Sequence, residues 1–196
     1  MRHAAHAAGG GRVSQECCVN FRPPQATALR QPAKATGDTP APPVAGAVHT
    51  LHPGDVACAG RGDRLEALLG SCVAIVLTDP WRTVGVMCHI VHAKPALRVP
   101  RKSGAHAGVA LKAMYALLQA RGIAPALCEA YVYGGGNMFP ALFKGSHVGD
   151  NNARWALAAL ADDGIPVLLH DVGGSAYRRL GWTVGSGAPQ VTAVQI

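Results

Sequence analysis

Two short apolar runs joined through a four-residue turn constrain this chain more than anything else in it. Val73-Ala74-Ile75-Val76-Leu77-Thr78 and Val84-Gly85-Val86-Met87-Cys88-His89-Ile90 are rich in β-branched residues and carry no charge. Each is too short for a buried helix and is bounded by turn residues, so each reads as a buried strand. Asp79-Pro80-Trp81-Arg82 supplies the turn. A connection so short joins neighbouring antiparallel strands. With those four residues as the loop, Thr78 faces Thr83, and counting back sets Cys72 opposite His89. Side chains directly opposed on one face lie about 4.5–5.5 Å apart at Cβ. A thiol and an imidazole at that spacing form a nucleophile with a base beside it.

Two readings of that pair stay open on pattern alone. Free cysteine is commonly a small, inert core residue, and a histidine at a strand end is often satisfied structurally. A one-residue slip in register would also turn His89 to the other face. Against this stands the lead-in Leu69-Gly70-Ser71. Gly70 permits a tight turn before the strand, and amides freed at such a turn can face an oxyanion. Ser71 is a small hydroxyl at that turn, which is also ordinary turn chemistry.

These residues carry a resemblance. Leu69-Gly70-Ser71-Cys72-Val73, with His89 seventeen positions after the cysteine, is similar to the CheD family of chemoreceptor glutamine deamidases. Tyr133-Gly134-Gly135-Gly136-Asn137-Met138, Val148-Gly149-Asp150-Asn151-Asn152 and Asp171-Val172-Gly173-Gly174 with Arg178 extend the likeness from about Leu51 to Leu180. Each motif alone is short and driven by glycine. Together, in order and spacing, they are specific. The resemblance implies Cys72 and His89 as catalytic residues, with Gly70, Ser71, Gly135, Gly136 and Asn137 shaping the site. It implies no cofactor and no metal. The substrate would be the cytoplasmic domain of a methyl-accepting chemoreceptor, and the CheC phosphatase a partner. At the level of fold the likeness reaches the bacterial cytotoxic necrotising factor deamidases.

One departure from the family pattern is visible. Members place a threonine five or six residues before the cysteine, where this chain has Glu66 and Ala67. Either Glu66 orients His89, as a carboxylate can, or it is a solvated charge at the end of an element and the site is impaired. Two other functions fit the same residues. One is hydrolysis of receptor glutamyl methyl esters at Cys72; the other is a non-catalytic chemotaxis adaptor that binds CheC. An activated Cys72 would be alkylated below the pH of an ordinary thiol near 8.5.

The remainder sets limits. Residues 1–46 mix Ala, Gly, Pro, Gln and Arg without strand or helix period, and read as a disordered basic tail ahead of a folded domain at 47–196. The alternative is a start codon placed too far upstream. No apolar run approaches the roughly 18–20 residues that span a bilayer. With six scattered cysteines in a chain long enough to bury its own core, reduced thiols in a cytoplasm are expected rather than disulfides. Cys88, His89 and His92 crowd together, but neighbours on a strand point to opposite faces and no CxxC completes a zinc tetrahedron. The net charge is +7, of which the tail's five basic and two acidic residues supply +3. Lys94, Arg98, Arg101 and Lys102 cluster after the hairpin without aromatic residues for base stacking, so nucleic acid is not the expected partner. They read equally as a solvated basic loop beside the site or as a contact for an acidic protein surface, such as a receptor helix rich in Glu.

Element order then points to an α+β layered sandwich, with central, mainly antiparallel sheets flanked by helices. His52 to Cys58 reads as a short strand, and Asp63 to Leu69 as helical or extended. Ala110, Ala113, Met114, Leu117 and Leu118 follow helical spacing within Ala105 to Arg121, with Gly122 as the stop. Asp150 or Asn151 is expected to cap a helix over Asn152 to Asp163. Gly134-Gly135-Gly136 lacks the lysine and spacing of a phosphate loop and reads as a place where backbones pass closely.

Overall fold

The computed structural model describes residues 46–94, 103–142, 145–185 and 187–195. The basic tail, apart from its last residue, and Arg98, Arg101 and Lys102 lie outside them. The described chain forms nine strands and two α-helices. These are β1 (Val48–Leu51), β2 (Val56–Gly60), β3 (Arg64–Leu69), β4 (Val73–Thr78), β5 (Val84–Ile90), α1 (Ala107–Gln119), β6 (Glu129–Gly134), α2 (Val148–Asp162), β7 (Val167–Val172), β8 (Ala176–Thr183) and β9 (Gln190–Gln195). Among the described residues, no helix is long and apolar enough to cross a membrane.

The strands divide into a four-stranded sheet, β1-β3-β8-β9, and a five-stranded sheet, β2-β5-β4-β6-β7. Only β1–β3 and β6–β7 pair in parallel. Strand alternation then builds two cores from one central strand. Val73, Ile75 and Leu77 of β4 pack with Ala107, Met114 and Leu118 of α1 and Ala156 and Leu160 of α2. Ala74 and Val76, on the other face, pack with Leu65 and Leu69 of β3 and Trp182 of β8. The result is three layers, helices on sheet on sheet. This is the expected α+β layered sandwich, with both helices covering the same face of the five-stranded sheet.

Several boundaries differ from the sequence expectation, each for a local reason. Asp63–Leu69 is extended, because Leu65, Ala67 and Leu69 alternate inward with Arg64, Glu66 and Leu68. Of the stretch His52 to Cys58 read as one strand, His52–Asp55 is a tight turn between β1 and β2, and only Val56 onward is extended, in β2. In that turn the His52 amide donates to the Asp55 carboxylate (2.8 Å) and Gly54 holds φ +93°. Helix α2 begins four residues earlier than expected. His147, not Asp150 or Asn151, is its N-cap: its Nδ1 accepts from the Gly149 amide, while the Asp150 carboxylate accepts from the His147 amide. Histidine is outside the usual capping set, and Asp150 is the third residue of the capping box instead. Gly122 and Gly164, at φ +74° and +70°, close the two helices.

The hairpin forms, with a register two residues away from the simple count. Thr78 pairs with Gly85 and Ala74 with His89. The cause is the Asp79 carboxylate, whose Oδ1 accepts from the amides of Thr83 (2.7 Å) and Val84 (2.9 Å). Those amides are thereby taken out of the β4 ladder, and the loop lengthens. Burial would raise the Asp79 pKa, but the amides of Val84 and Thr83 hold it below the ordinary value.

Candidate active site

Cys72 lies just before β4, at the point where the chain leaves the four-stranded sheet and enters the five-stranded one. Extending the observed register puts it across from Val91, not His89. A two-residue shift leaves every side chain on its original face, because the strand period is two. Cys72 packs against the inter-sheet core that also holds Met87, and His89 shares the face of Met87. The thiol and the imidazole are therefore diagonal neighbours on one face. Such pairs are about 7–8 Å apart on the main chain, and His89 Nε2 makes no hydrogen bond across that gap to the thiol. Cys88, adjacent to His89, faces the helices instead, where burial pushes its thiol up to about 12.

His89 is 2% exposed and is held by the β1–β2 turn. Its Nδ1 lies 3.2 Å from the Leu51 carbonyl, its own amide donates to the Asp55 carbonyl (3.0 Å), and its carbonyl accepts from the Gly54 amide (2.8 Å). A carbonyl can only accept, so in the neutral ring Nδ1 carries the proton and Nε2 keeps its lone pair. Nε2 is buried with no hydrogen-bond partner among the described residues. Desolvation lowers the His89 pKa, against the opposing pull of the Leu51 bond and of Asp55. Desolvation also raises the pKa of half-buried Cys72. Both shifts act in the same sense, favouring the uncharged thiol and imidazole over an ion pair.

Glu66 does not reach His89. It lies on the outward face of β3, where its carboxylate pairs with the Arg64 guanidinium. Both Glu66 and Cys72 have even numbers, but the bend at Gly70–Ser71 changes sheets between them and cancels the parity. The main-chain carbonyl of Leu51 occupies the orienting place instead.

Of the remaining predicted residues, Gly135 and Gly136 bond to the turn at Cys72, whereas the Asn137 amide bonds to the turn between β7 and β8. Gly135 donates to the Cys72 carbonyl (2.8 Å), Gly136 to the Gly70 carbonyl (2.9 Å), and Asn137 to the Gly174 carbonyl (2.7 Å). Side chains at these glycines would collide: a Cβ on Gly136 would lie 2.8 Å from the Ala176 carbonyl oxygen, and one on Gly70 would lie 2.9 Å from Met138 sulfur. Asn137 Oδ1 accepts from the Phe139 amide, a local turn bond. Ser71 borders a cleft of about 540 Å³ whose walls include His92, Met138, Phe139, His147 and Val148; neither Cys72 nor His89 lines it.

Two buried polar residues escaped the sequence reading of the site. Asn152 of α2 bonds to Ser71, Val91 and Ala93. Arg178 of β8, 5% exposed, donates to the Asp171 carboxylate of β7 (2.8 Å) and so bridges the two sheets. Both lie in stretches that carry the family resemblance, the one available signal: Asn152's partners are far away in sequence, and Arg178's lies seven residues away on the other sheet.

A layered α+β sandwich with a cysteine and a histidine on one inner face defines a class of thiol-bearing domain rather than one protein. Comparison with known proteins narrows it. A family model described as CheD chemotactic sensory transduction matches residues 95–193, a span that begins after β5. A probable chemoreceptor glutamine deamidase CheD 2 of Albidiferax ferrireducens is 34% identical over 141 residues, 70% of this chain and 82% of the relative. A probable chemoreceptor glutamine deamidase CheD of Pseudomonas syringae is 35% identical over 70% of this chain and 80% of its own length. The chemoreceptor glutamine deamidase CheD of Thermotoga maritima is 33% identical over 61% and 74%, respectively. The chain belongs to the CheD family.

Proposed function

We propose that this protein deamidates glutamine side chains of chemoreceptors through a covalent thioester on Cys72. The observation that carries the reading is the His89 imidazole, placed on the Cys72 face with Nδ1 satisfied and Nε2 buried and unused. The names of its relatives support the reaction class.

In this mechanism the Cys72 thiol gives its proton to His89 Nε2 as sulfur attacks the carboxamide carbon. The carbonyl π electrons move to oxygen, and amides at the Ser71–Cys72 turn hold the resulting oxyanion. Collapse breaks the carbon–nitrogen bond, and His89 returns its proton to the departing nitrogen as ammonia. Water then gives a proton to Nε2 while its oxygen attacks the thioester. Release of sulfur, which recovers the proton, leaves glutamate and the free thiol. Because desolvation disfavours the charged form of both groups, the proton moves during attack rather than before it in this mechanism. The receptor's signalling domain as substrate makes the enzyme cytoplasmic, and regulation through the CheC phosphatase rests on the family resemblance alone.

Incubation with a purified receptor signalling domain, followed by peptide mapping, tests the proposal. Glutamine-to-glutamate conversion that disappears in Cys72→Ala supports it. Loss of methyl groups from glutamyl esters instead would assign the same dyad to ester hydrolysis. Full deamidation by Cys72→Ala would end the mechanism.

A further inference from the structure

Asn152 is 1% exposed, in the second turn of α2, and its carboxamide engages three main-chain groups. Nδ2 donates to the carbonyls of Ser71 (3.2 Å) and Val91 (2.9 Å), and Oδ1 accepts from the Ala93 amide (2.7 Å). Asparagine is a weak helix former, because its side chain competes for backbone groups. Here that competition is directed outward, from the helix to the two chain segments beside it. One segment is the turn that delivers Cys72. The other is the continuation of β5 immediately beyond His89.

The bond to Ser71 has a directional consequence. The Ser71–Cys72 peptide is trans, so its C=O and its N–H point opposite ways. Helix α2 covers the face of the sheet that holds Val73 and Ile75. A Ser71 carbonyl drawn toward α2 therefore turns the Cys72 N–H toward the opposite face, where the thiol and His89 lie. We infer that Asn152 is a positioning residue: it aims the Cys72 amide at the oxyanion and holds the nucleophile's turn in register with the base's strand. The inference rests on the deamidase reading above. Only a group with two donor hydrogens and an acceptor satisfies all three partners, which a carboxylate of the same shape does not.

The test compares two reactions of Cys72 in the full-length protein and in the variants Asn152→Ala and Asn152→Asp. Deamidation of a receptor signalling fragment, read as ammonia release, passes through an oxyanion. Alkylation by iodoacetamide, read by intact mass, displaces iodide at saturated carbon and forms none. Loss of amide aim should lower kcat by about 10–100-fold, with KM and the alkylation rate within about twofold of wild type. A kcat within about threefold of wild type overturns the inference. Alkylation that falls in step with kcat also overturns it, because the thiol itself has then been displaced. Should Asn152→Ala fail to fold, Asn152→Asp, which keeps the volume and the acceptor for Ala93, supplies the comparison. A wild type that releases no ammonia sinks the deamidase reading and this inference with it. An active wild type with an unaffected variant sinks this inference alone.

Discussion

Adding one methyl group at Gly134 should disable the site from the neighbouring strand. Gly134 ends β6 at φ +106°, and a Cβ built there lies 2.3 Å from the Cys72 carbonyl oxygen. Ordinary contact begins near 3.4 Å, so the two main chains must part by about 1 Å, and neither partner is a flexible side-chain end. The strained dihedral, the forced main-chain shift and the weakened bond from Gly135 to the Cys72 carbonyl together cost about 3–6 kcal/mol. For a domain of this size that is a fall in Tm of about 10 °C or more. Displacing the nucleophile by about 1 Å should also lower turnover roughly 100-fold in the molecules that still fold. Urea denaturation gives the stability, and ammonia release per folded molecule gives the activity. Gly108→Ala is the control. Gly108 lies on the exposed side of α1, and its Cβ would meet no atom within 4 Å. The same substitution there should stabilise by about 0.5–1 kcal/mol. If Gly134→Ala unfolds within about 1 kcal/mol of wild type with activity intact, the close approach of β6 to Cys72 is wrong.

Other outcomes follow from the same geometry. Cys72→Ala and His89→Ala should each abolish ammonia release; for Cys72→Ala, Tm should stay within a few degrees of wild type, since the thiol is half-buried and small. Deamidation should rise with pH through a His89 pKa displaced below its ordinary value, while iodoacetamide alkylation should rise only above the ordinary thiol range, because burial raises Cys72. Stability should fall as pH drops below about 6.5, since the unfolded chain then binds a proton that folded His89 resists, and His89→Gln should flatten that slope in a urea series. Asp79→Ala removes the acceptor of two loop amides and should cost about 2–3 kcal/mol in denaturant midpoint analysis.

What could be read from residue order was what depends on alternation and on the turn. The apolar runs of β4 and β5, their pairing, and the common face of Cys72 and His89 all follow from a period of two, which survives even a register shift. The register itself depended on the Asp79 side chain capturing two amides, a choice that no strand pattern encodes. Of the two readings open for Glu66, the solvated charge is the one the structure shows, because the chain changes sheets at Gly70–Ser71 and leaves the carboxylate beside Arg64. Asn152 and Arg178 find their partners 81 and 7 residues away, respectively, across layers that only the folded chain brings together. The one-sided helix cover was likewise invisible, because an amphipathic stripe tells which side of a helix is buried and not which side of a sheet it covers.

The group that aligns the His89 ring belongs to the backbone at Leu51. No substitution of a side chain deletes a peptide oxygen, so an alanine scan would pass over this partner without a signal. Residue 51 is free to vary so long as it fills its place between the sheets. Damage would have to enter through the bend that follows, where Gly54 carries a dihedral that other residues resist. The imidazole's alignment is in this way insulated from most single-codon changes, and an amide-to-ester exchange placed to weaken that carbonyl is the chemical edit that would expose it.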